Sequence, residues 1–186
     1  MPILVIRGFP GVGKTTLIRR IREWVPPARS AGFYTVERRD STGRRVGFDL
    51  IDWRSGREYP LARVDWADAP YRVGKYGVRT DGLDTWVRAA TAGTSPPPAL
   101  WVIDELGKME RFSAEFITWL HTLDLTHAVA VCTAPVRILP VYRPFFRKWH
   151  PEFWTLTRAN RAALADRLRT WIARHLASHP VTGTSL

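Results

Sequence analysis

The first fifteen or so residues constrain the fold more than any other stretch. Pro2-Ile3-Leu4-Val5-Ile6-Arg7 is a short apolar, β-branched run, the pattern of a strand buried on both faces of a parallel sheet. It runs directly into Gly8, Phe9, Pro10, Gly11, Val12, Gly13, Lys14, Thr15 and Thr16. The spacing is a glycine, four residues, then Gly-Lys-Thr, the pattern of a phosphate-binding loop. Glycines let successive backbone N–H groups turn inward and form an anion-sized concavity. A helix starting there adds the partial positive charge of its N-terminus. Lys14 reaches the β- and γ-phosphates as a point charge, and the Thr15 hydroxyl is a candidate Mg²⁺ ligand. The helix itself is predicted by the apolar stripe Leu17, Ile18, Ile21, Trp24 and Val25.

The loop has a second half elsewhere in the chain. Ala99-Leu100-Trp101-Val102-Ile103 is another apolar run, ending in Asp104-Glu105. In a chain with a phosphate loop, a strand ending in Asp is the expected second metal element. Asp104 is the candidate metal ligand, acting through water because Mg²⁺ sheds its waters reluctantly. Glu105, beside it, is placed to accept a proton from a water in line with the γ-phosphate, which favours hydrolysis over transfer to another acceptor. A pair of acids that merely ends a strand and caps the next helix is the plain alternative.

Between these halves the chain reads as follows. Pro26-Pro27 ends the first helix. Gly32 to Arg39 and Arg45 to Trp53 read as two strands of an antiparallel hairpin around Asp40-Ser41-Thr42-Gly43, with a third short strand near Glu58 to Val64. Residues 65–80 read as irregular, and Asp81 to Ala92 as a short helix. Gly93 to Pro98 is a connector. After the Asp104 strand, Phe112 to Leu123 is an amphipathic helix with Ser113 as candidate N-cap. Ala128 to Cys132 reads as a buried strand, and 134–150 as a proline-rich, basic and aromatic segment. Phe153 to Leu156 is a last strand, and 159–176 the closing helix. Strands alternating with helices imply an α/β fold: a three-layer phosphate-loop architecture, its sheet mostly parallel and helix-covered, with an antiparallel β insertion after the first helix. Ligands in such sheets sit at the carboxyl ends of the strands, which brings the loop and Asp104-Glu105 together. Residues 1–178 are expected to form one domain, followed by a polar, mobile tail.

The net charge of +11 permits polyanion binding. Only four of the 28 Lys+Arg residues are lysines, Lys14, Lys75, Lys108 and Lys148, so the excess also reads as a general preference for arginine. The single cysteine, Cys132, excludes an internal disulfide and fits a reducing, cytoplasmic setting as an inert core thiol. No apolar run reaches membrane-span length, and the N-terminal run is too short for a secretory leader. Phosphoryl transfer needs cations at the developing charge. Lys108, three residues after Glu105, is the first choice, followed by Arg137, Arg143, Arg147 and Arg161, each of which more often is a surface charge. Tyr34, Tyr76, Trp149 and Trp154 are candidates for stacking on a base and Asn160 for hydrogen bonding, although core packing or helix capping is the simpler role for each.

Together these segments resemble the small nucleoside-triphosphatase family of the cancer-related type. The likeness is carried by the loop Gly8–Ile18, by Gly32-Phe33-Tyr34-Thr35 with Glu37 and Arg39, and by Gly43-Arg44-Arg45-Val46-Gly47-Phe48-Asp49. It continues in Val73-Gly74-Lys75-Tyr76, in Val102-Ile103-Asp104-Glu105-Leu106-Gly107-Lys108-Met109-Glu110, and in Thr157 with Asn160-Arg161. The resemblance implies Mg²⁺-dependent hydrolysis of nucleoside triphosphates to diphosphates and phosphate, with broad base tolerance. It implies nucleotide contacts over the loop and over Ile103, Asp104, Glu105, Leu106 and Gly107; Asn160, Arg161 and Arg137 stand as candidate base or lid contacts. The chain departs from the family pattern at Val36, where an acid is usual, and at Gly77 and Arg79, where an apolar residue and Asp are usual; segment 134–150 is its own. Two other readings stay open: a phosphotransferase with an acceptor site in the basic insertion or in 134–150, and a nucleic-acid-associated NTPase. A monomer is compatible with the sequence.

Overall fold

A computed structural model describes residues 2–93 and 96–178. The tail expected to be mobile, and two residues of the Gly93–Pro98 connector, lie outside the described residues. Among the described residues, nine strands form one sheet. In chain order they are β1 (Ile3–Arg7), β2 (Ser30–Arg39), β3 (Arg45–Asp52), β4 (Glu58–Arg63), β5 (Tyr71–Val73), β6 (Tyr76–Val78), β7 (Leu100–Asp104), β8 (Val129–Ala134) and β9 (Glu152–Thr155). Their order across the sheet is β5-β6-β4-β3-β2-β7-β8-β1-β9. The half from β2 through β9 is parallel; β3, β4, β6 and β5 extend it with antiparallel pairs. The β insertion is thus continuous with the main sheet, because its first strand, β2, is also a neighbour of the central β7.

The helices are α1 (Lys14–Arg19), α2 (Ile21–Trp24), α3 (Asp81–Thr91), α4 (Ala114–Thr122), α5 (Arg143–Trp149) and α6 (Arg161–Ala177). Arg20 keeps right-handed helical angles between α1 and α2, so the stripe predicted as one helix runs with only a minor break. Ser113 caps α4 as expected, accepting a hydrogen bond from the Phe116 amide at 2.8 Å. Alternation along the strands divides the core. Ile3 and Val5 face a cluster with Phe33, Leu83, Trp86, Phe116, Leu120 and Phe145. Leu4 and Ile6 face the opposite cluster, with Leu17, Ile18, Ile21, Leu164, Leu168 and Trp171. The result is the three-layer α/β arrangement expected from the sequence, with α3, α4 and α5 on one face and α1, α2 and α6 on the other. Six of the nine tryptophans are buried, as core stripes predict.

Two segments carry regular structure that the sequence patterns did not show. Residues 65–80, read as irregular, contain β5 and β6, a tight pair turning at Gly74 (φ 57°). Segment 134–150 contains α5, with Pro144 in the first turn, where the missing N–H costs no helical bond.

Three charged residues pin the insertion. Asp49 is buried on β3 and pairs with Arg38 of β2 and Arg63 of β4. Arg38 and Arg63 both stand opposite Gly47, two residues from Asp49 along β3, which places the three side chains on one face.

Gly32 is where β2 meets β7 most closely. Its φ is 133°, and a Cβ there would stand 1.8 Å from the Val102 carbonyl oxygen. Gly32→Ala therefore clashes with a central strand while also forcing an unfavourable backbone angle. The expected cost is ~4 kcal/mol or more, read as a fall of about 10 °C in melting temperature; an unchanged melting curve would contradict this packing.

Candidate active site

The site assembles at the carboxyl edge of the parallel strands. β1 delivers the loop Gly8–Gly13, and β7 delivers Asp104 and Glu105. Gly13 precedes α1 with φ 100°, a left-handed angle that only glycine adopts without strain. Lys14 opens α1 and is buried; its Nζ donates to the Gly8 carbonyl at 3.1 Å and the Phe9 carbonyl at 3.4 Å. The same Nζ lies 3.3 Å from Glu105 Oε2. Thr15 Oγ1 donates to Asp104 Oδ2 at 2.6 Å. The four residues proposed from two distant stretches therefore share one cluster.

Asp104 is fully enclosed. Thr133 of β8 donates to its other carboxyl oxygen, and Thr35 of β2 donates to its backbone carbonyl at 2.8 Å. Burial pushes its carboxyl up to about 6, against the pull of the two hydroxyls and Lys14. The peptide bond joining Asp104 to Glu105 is cis. The Leu106 amide donates to the Thr133 carbonyl at 2.8 Å, and the Tyr142 hydroxyl donates to the Gly107 carbonyl at 2.9 Å, so the loop after β7 is tied down at two successive residues.

Glu110 adds a third carboxyl. It is 3% exposed, and it faces Glu105 across Gly107. A Cβ on Gly107 would meet Glu110 Oε2 at 2.6 Å and Glu105 Oε1 at 2.9 Å. Burial first, and the nearby Glu105 second, raise the Glu110 carboxyl to about 8, so it is held largely neutral at pH 7.

The other candidates fall in different places. Arg161 Nε donates to the Val12 carbonyl at 2.8 Å and lines a cavity of about 480 Å³ with Gly11, Gly13, Leu17, Arg20 and Leu156. Asn160 precedes α6, but its side chain makes no cap bond. Its Oδ1 accepts from the Thr157 amide and its Nδ2 donates to the Thr155 carbonyl, bracing the loop from β9. Lys108 is exposed and makes no ion pair among the described residues. Arg137, Arg143 and Arg147 line a separate cavity that none of residues 8–16 enters. Tyr34 and Trp154 are buried in the core, while Trp149 packs against it and Tyr76 meets Phe48 edge to face. Cys132 is buried, and burial raises its thiol to about 12, as an inert core residue requires.

A family model described as NTPase matches residues 3–169. The chain belongs to that NTPase family. The human cancer-related nucleoside-triphosphatase is 39% identical over 181 residues, covering 90% of this chain and 94% of that protein. The nucleoside-triphosphatase THEP1 of Natranaerobius thermophilus is 43% identical over 116 residues, 61% of this chain and 63% of that protein. Alignment with the THEP1 relatives thus spans about three-fifths of their length. Among solved structures, the solution structure of a human cancer-related nucleoside triphosphatase gives a TM-score of 0.75 at 32% identity, covering 94% of this chain and 98% of that one. The crystal structure of THEP1 from the hyperthermophile Aquifex aeolicus gives 0.72 at 29%, covering 89% and 96%. The resemblance read from the motifs holds.

Sequence reasoning overlooked Thr133, Thr35 and Tyr142 in this chain, and gave Glu110 no role. Thr133 left one signal: a lone hydroxyl at the end of the apolar run that pairs with the Asp104 strand. Thr35 sits in the Gly-Phe-Tyr-Thr run, but its task depends on β2 lying beside β7.

Because the folded-state value of Glu110 is raised, its contribution to stability is fully present below the ordinary carboxylate range, near pH 4.5, and is lost as pH rises through about 8. Glu110→Gln, which has the same shape without the charge, should flatten that decline. Its melting temperature should exceed the parent's by at least about 3 °C at pH 8 and converge with it near pH 4; parallel curves would remove the buried-acid assignment.

Proposed function

We propose that this chain is a Mg²⁺-dependent nucleoside-triphosphatase that releases the γ-phosphate and leaves the diphosphate. The observation that carries the reading is the contact between its two halves: Lys14 Nζ 3.3 Å from Glu105 and Thr15 Oγ1 2.6 Å from Asp104. The names of its relatives support the reaction class.

The residues fit a hard cation. Thr15 and Asp104 present adjacent oxygens, and Asp104 is a buried carboxylate whose charge calls for a positive partner. These two would hold Mg²⁺, which, when bound, offsets charge on the phosphates. The amides of residues 8–14 wrap the phosphate chain. Lys14 rests on its own loop's carbonyls and on Glu105; a triphosphate offers it a stronger anion, and its move toward the phosphates frees Glu105. Glu105 then accepts a proton at its carboxylate as water oxygen bonds to the γ-phosphorus and the bond to the β–γ bridging oxygen breaks. Lys14 stabilises the charge that develops on the transferred group. Lys108, on the same loop, is the second cation we assign there.

The base is placed in the cavity beside Arg161. Leu17, Leu156, Ala162 and Ala165 give it an apolar wall, with the guanidinium groups of Arg20 and Arg161 beside it. Asn160, the side chain best suited to reading a base edge, is taken up by Thr155 and Thr157. Broad base tolerance follows from that lining. An acceptor site in the β insertion is disfavoured, because Arg38, Arg39, Arg45 and Arg63 are paired with Glu37, Asp49 and Glu58.

Glu105→Gln should bind a non-hydrolysable ATP analogue within about threefold of the parent while losing roughly 10²–10⁴-fold in turnover. Phosphate release measured over the four ribonucleotides, with and without Mg²⁺, checks both parts; release by the variant equal to the parent's would end the base assignment.

A further inference from the structure

The cavity on the α5 face carries more positive charge than its surroundings balance. It measures about 520 Å³ and is lined by Arg7, Val136, Arg137, Ile138, Arg143, Phe146, Arg147 and His150. Across the insertion and α3, most arginines have carboxylate partners: Arg38, Arg39, Arg44, Arg45, Arg63, Arg79 and Arg88 do. Among the described residues, Arg7, Arg137, Arg143 and Arg147 have none, and no acid lines the cavity. Arg7 Nε is buried without a hydrogen-bond partner, an arrangement that costs free energy until an acceptor arrives. Arg143 and Arg147 are one helical turn apart on α5 and so share a face. Four guanidinium groups gathered without counter-charge repel one another, and fork-shaped donors suit phosphate oxygens best.

An aromatic wall accompanies the charge. The Arg7 guanidinium lies 5.0 Å over the Phe153 ring, whose centroid is 5.4 Å from that of Phe146. Among the described residues, the large hydrophobic side chains left exposed are Phe9, Tyr71, Val136 and Phe153. Val136 and Phe153 belong to this cavity and its wall, and Phe9 is two residues beyond Arg7. Interleaved cations and exposed aromatics are how proteins hold a nucleotide unit, phosphates on the guanidinium groups and base on the rings. The cavity is also distinct from the loop site. Arg7 continues the face of Ile3 and Val5, whereas the cavity beside Arg161 lies on the face of Leu4 and Ile6.

We propose that the Arg7 cavity is a second anion site that holds the phosphate groups of a nucleotide unit, separate from the phosphate loop. The unit is either a free nucleotide or one residue of a single strand. This does not depend on the hydrolytic role of Glu105, and Glu105→Gln chain should give the same result in the test below.

The test uses the full chain with a non-hydrolysable ATP analogue and Mg²⁺ in excess, so that the loop is filled. Tripolyphosphate, titrated calorimetrically, should bind one further equivalent with an affinity that falls steeply with salt. Arg143→Gln/Arg147→Gln, at two exposed positions, should weaken it about tenfold or more, while Arg143→Lys/Arg147→Lys retains most of it. Melting curves check that both variants fold, and the salt dependence of the parent stands without them. Labelled octauridylate that binds and is displaced by tripolyphosphate assigns the site to a strand; ADP that binds where octauridylate does not assigns it to a free nucleotide. Absence of a further equivalent, direct competition with the analogue, or equal affinity in the parent and the Gln variant would overturn the site. Binding of tripolyphosphate alone would overturn the nucleotide assignment.

Discussion

One buried carboxylate sets the geometry of the candidate active site. Asp104 is gripped by Thr15 from the helix after the loop and by Thr133 from the neighbouring strand, while its backbone carbonyl is held by Thr35. Three strands and α1 are thereby fixed relative to a single side chain. The carboxyl is enclosed enough that its charge is disfavoured, so each hydroxyl that touches it is worth more than a surface hydrogen bond. Removing any one of them leaves a buried acceptor short of a partner. The positions of Lys14 and Glu105 follow from that anchor, since each is the chain neighbour of a residue in the cluster.

Much of this was readable beforehand, and the reason is local. The loop's glycines, Lys14 and Thr15 are contiguous, and the order apolar run, loop, apolar stripe is itself the strand–loop–helix that the chemistry needs. The acid pair was recognisable because it ends an apolar strand. What escaped notice depends on sheet order. Thr133 and Thr35 matter only because β8 and β2 flank β7, a fact that no spacing along the chain contains. Glu110 was only the last residue of a motif, and its burial against Glu105 depends on Gly107 having no side chain. In α5, Pro144 sits in the first turn of the helix, where it is tolerated, so a proline-rich segment still holds a helix. β5 and β6 are three residues each, too short for an alternation to show.

The chain treats its excess of arginine in two ways. In the insertion Arg38, Arg39, Arg45 and Arg63 are spent internally on Glu37, Asp49 and Glu58. Beside Arg7 the guanidinium groups are left in one another's company, next to rings. The high net charge is therefore unevenly placed, and bulk composition alone could not have separated a general preference for arginine from a local concentration of it.

The pinning of Asp49 by Arg38 and Arg63 has a consequence for how the insertion finds its pairing. A hairpin of this kind could slide by one residue with little change in backbone hydrogen bonds, but alternation would then turn each side chain to the opposite face. Sliding here would strand a lone anion in a dry interior and expose two cations that now share it. Misaligned forms are thus penalised more heavily than the correct one is rewarded, and the ionic trio works as a key that admits a single alignment of β3 between its neighbours.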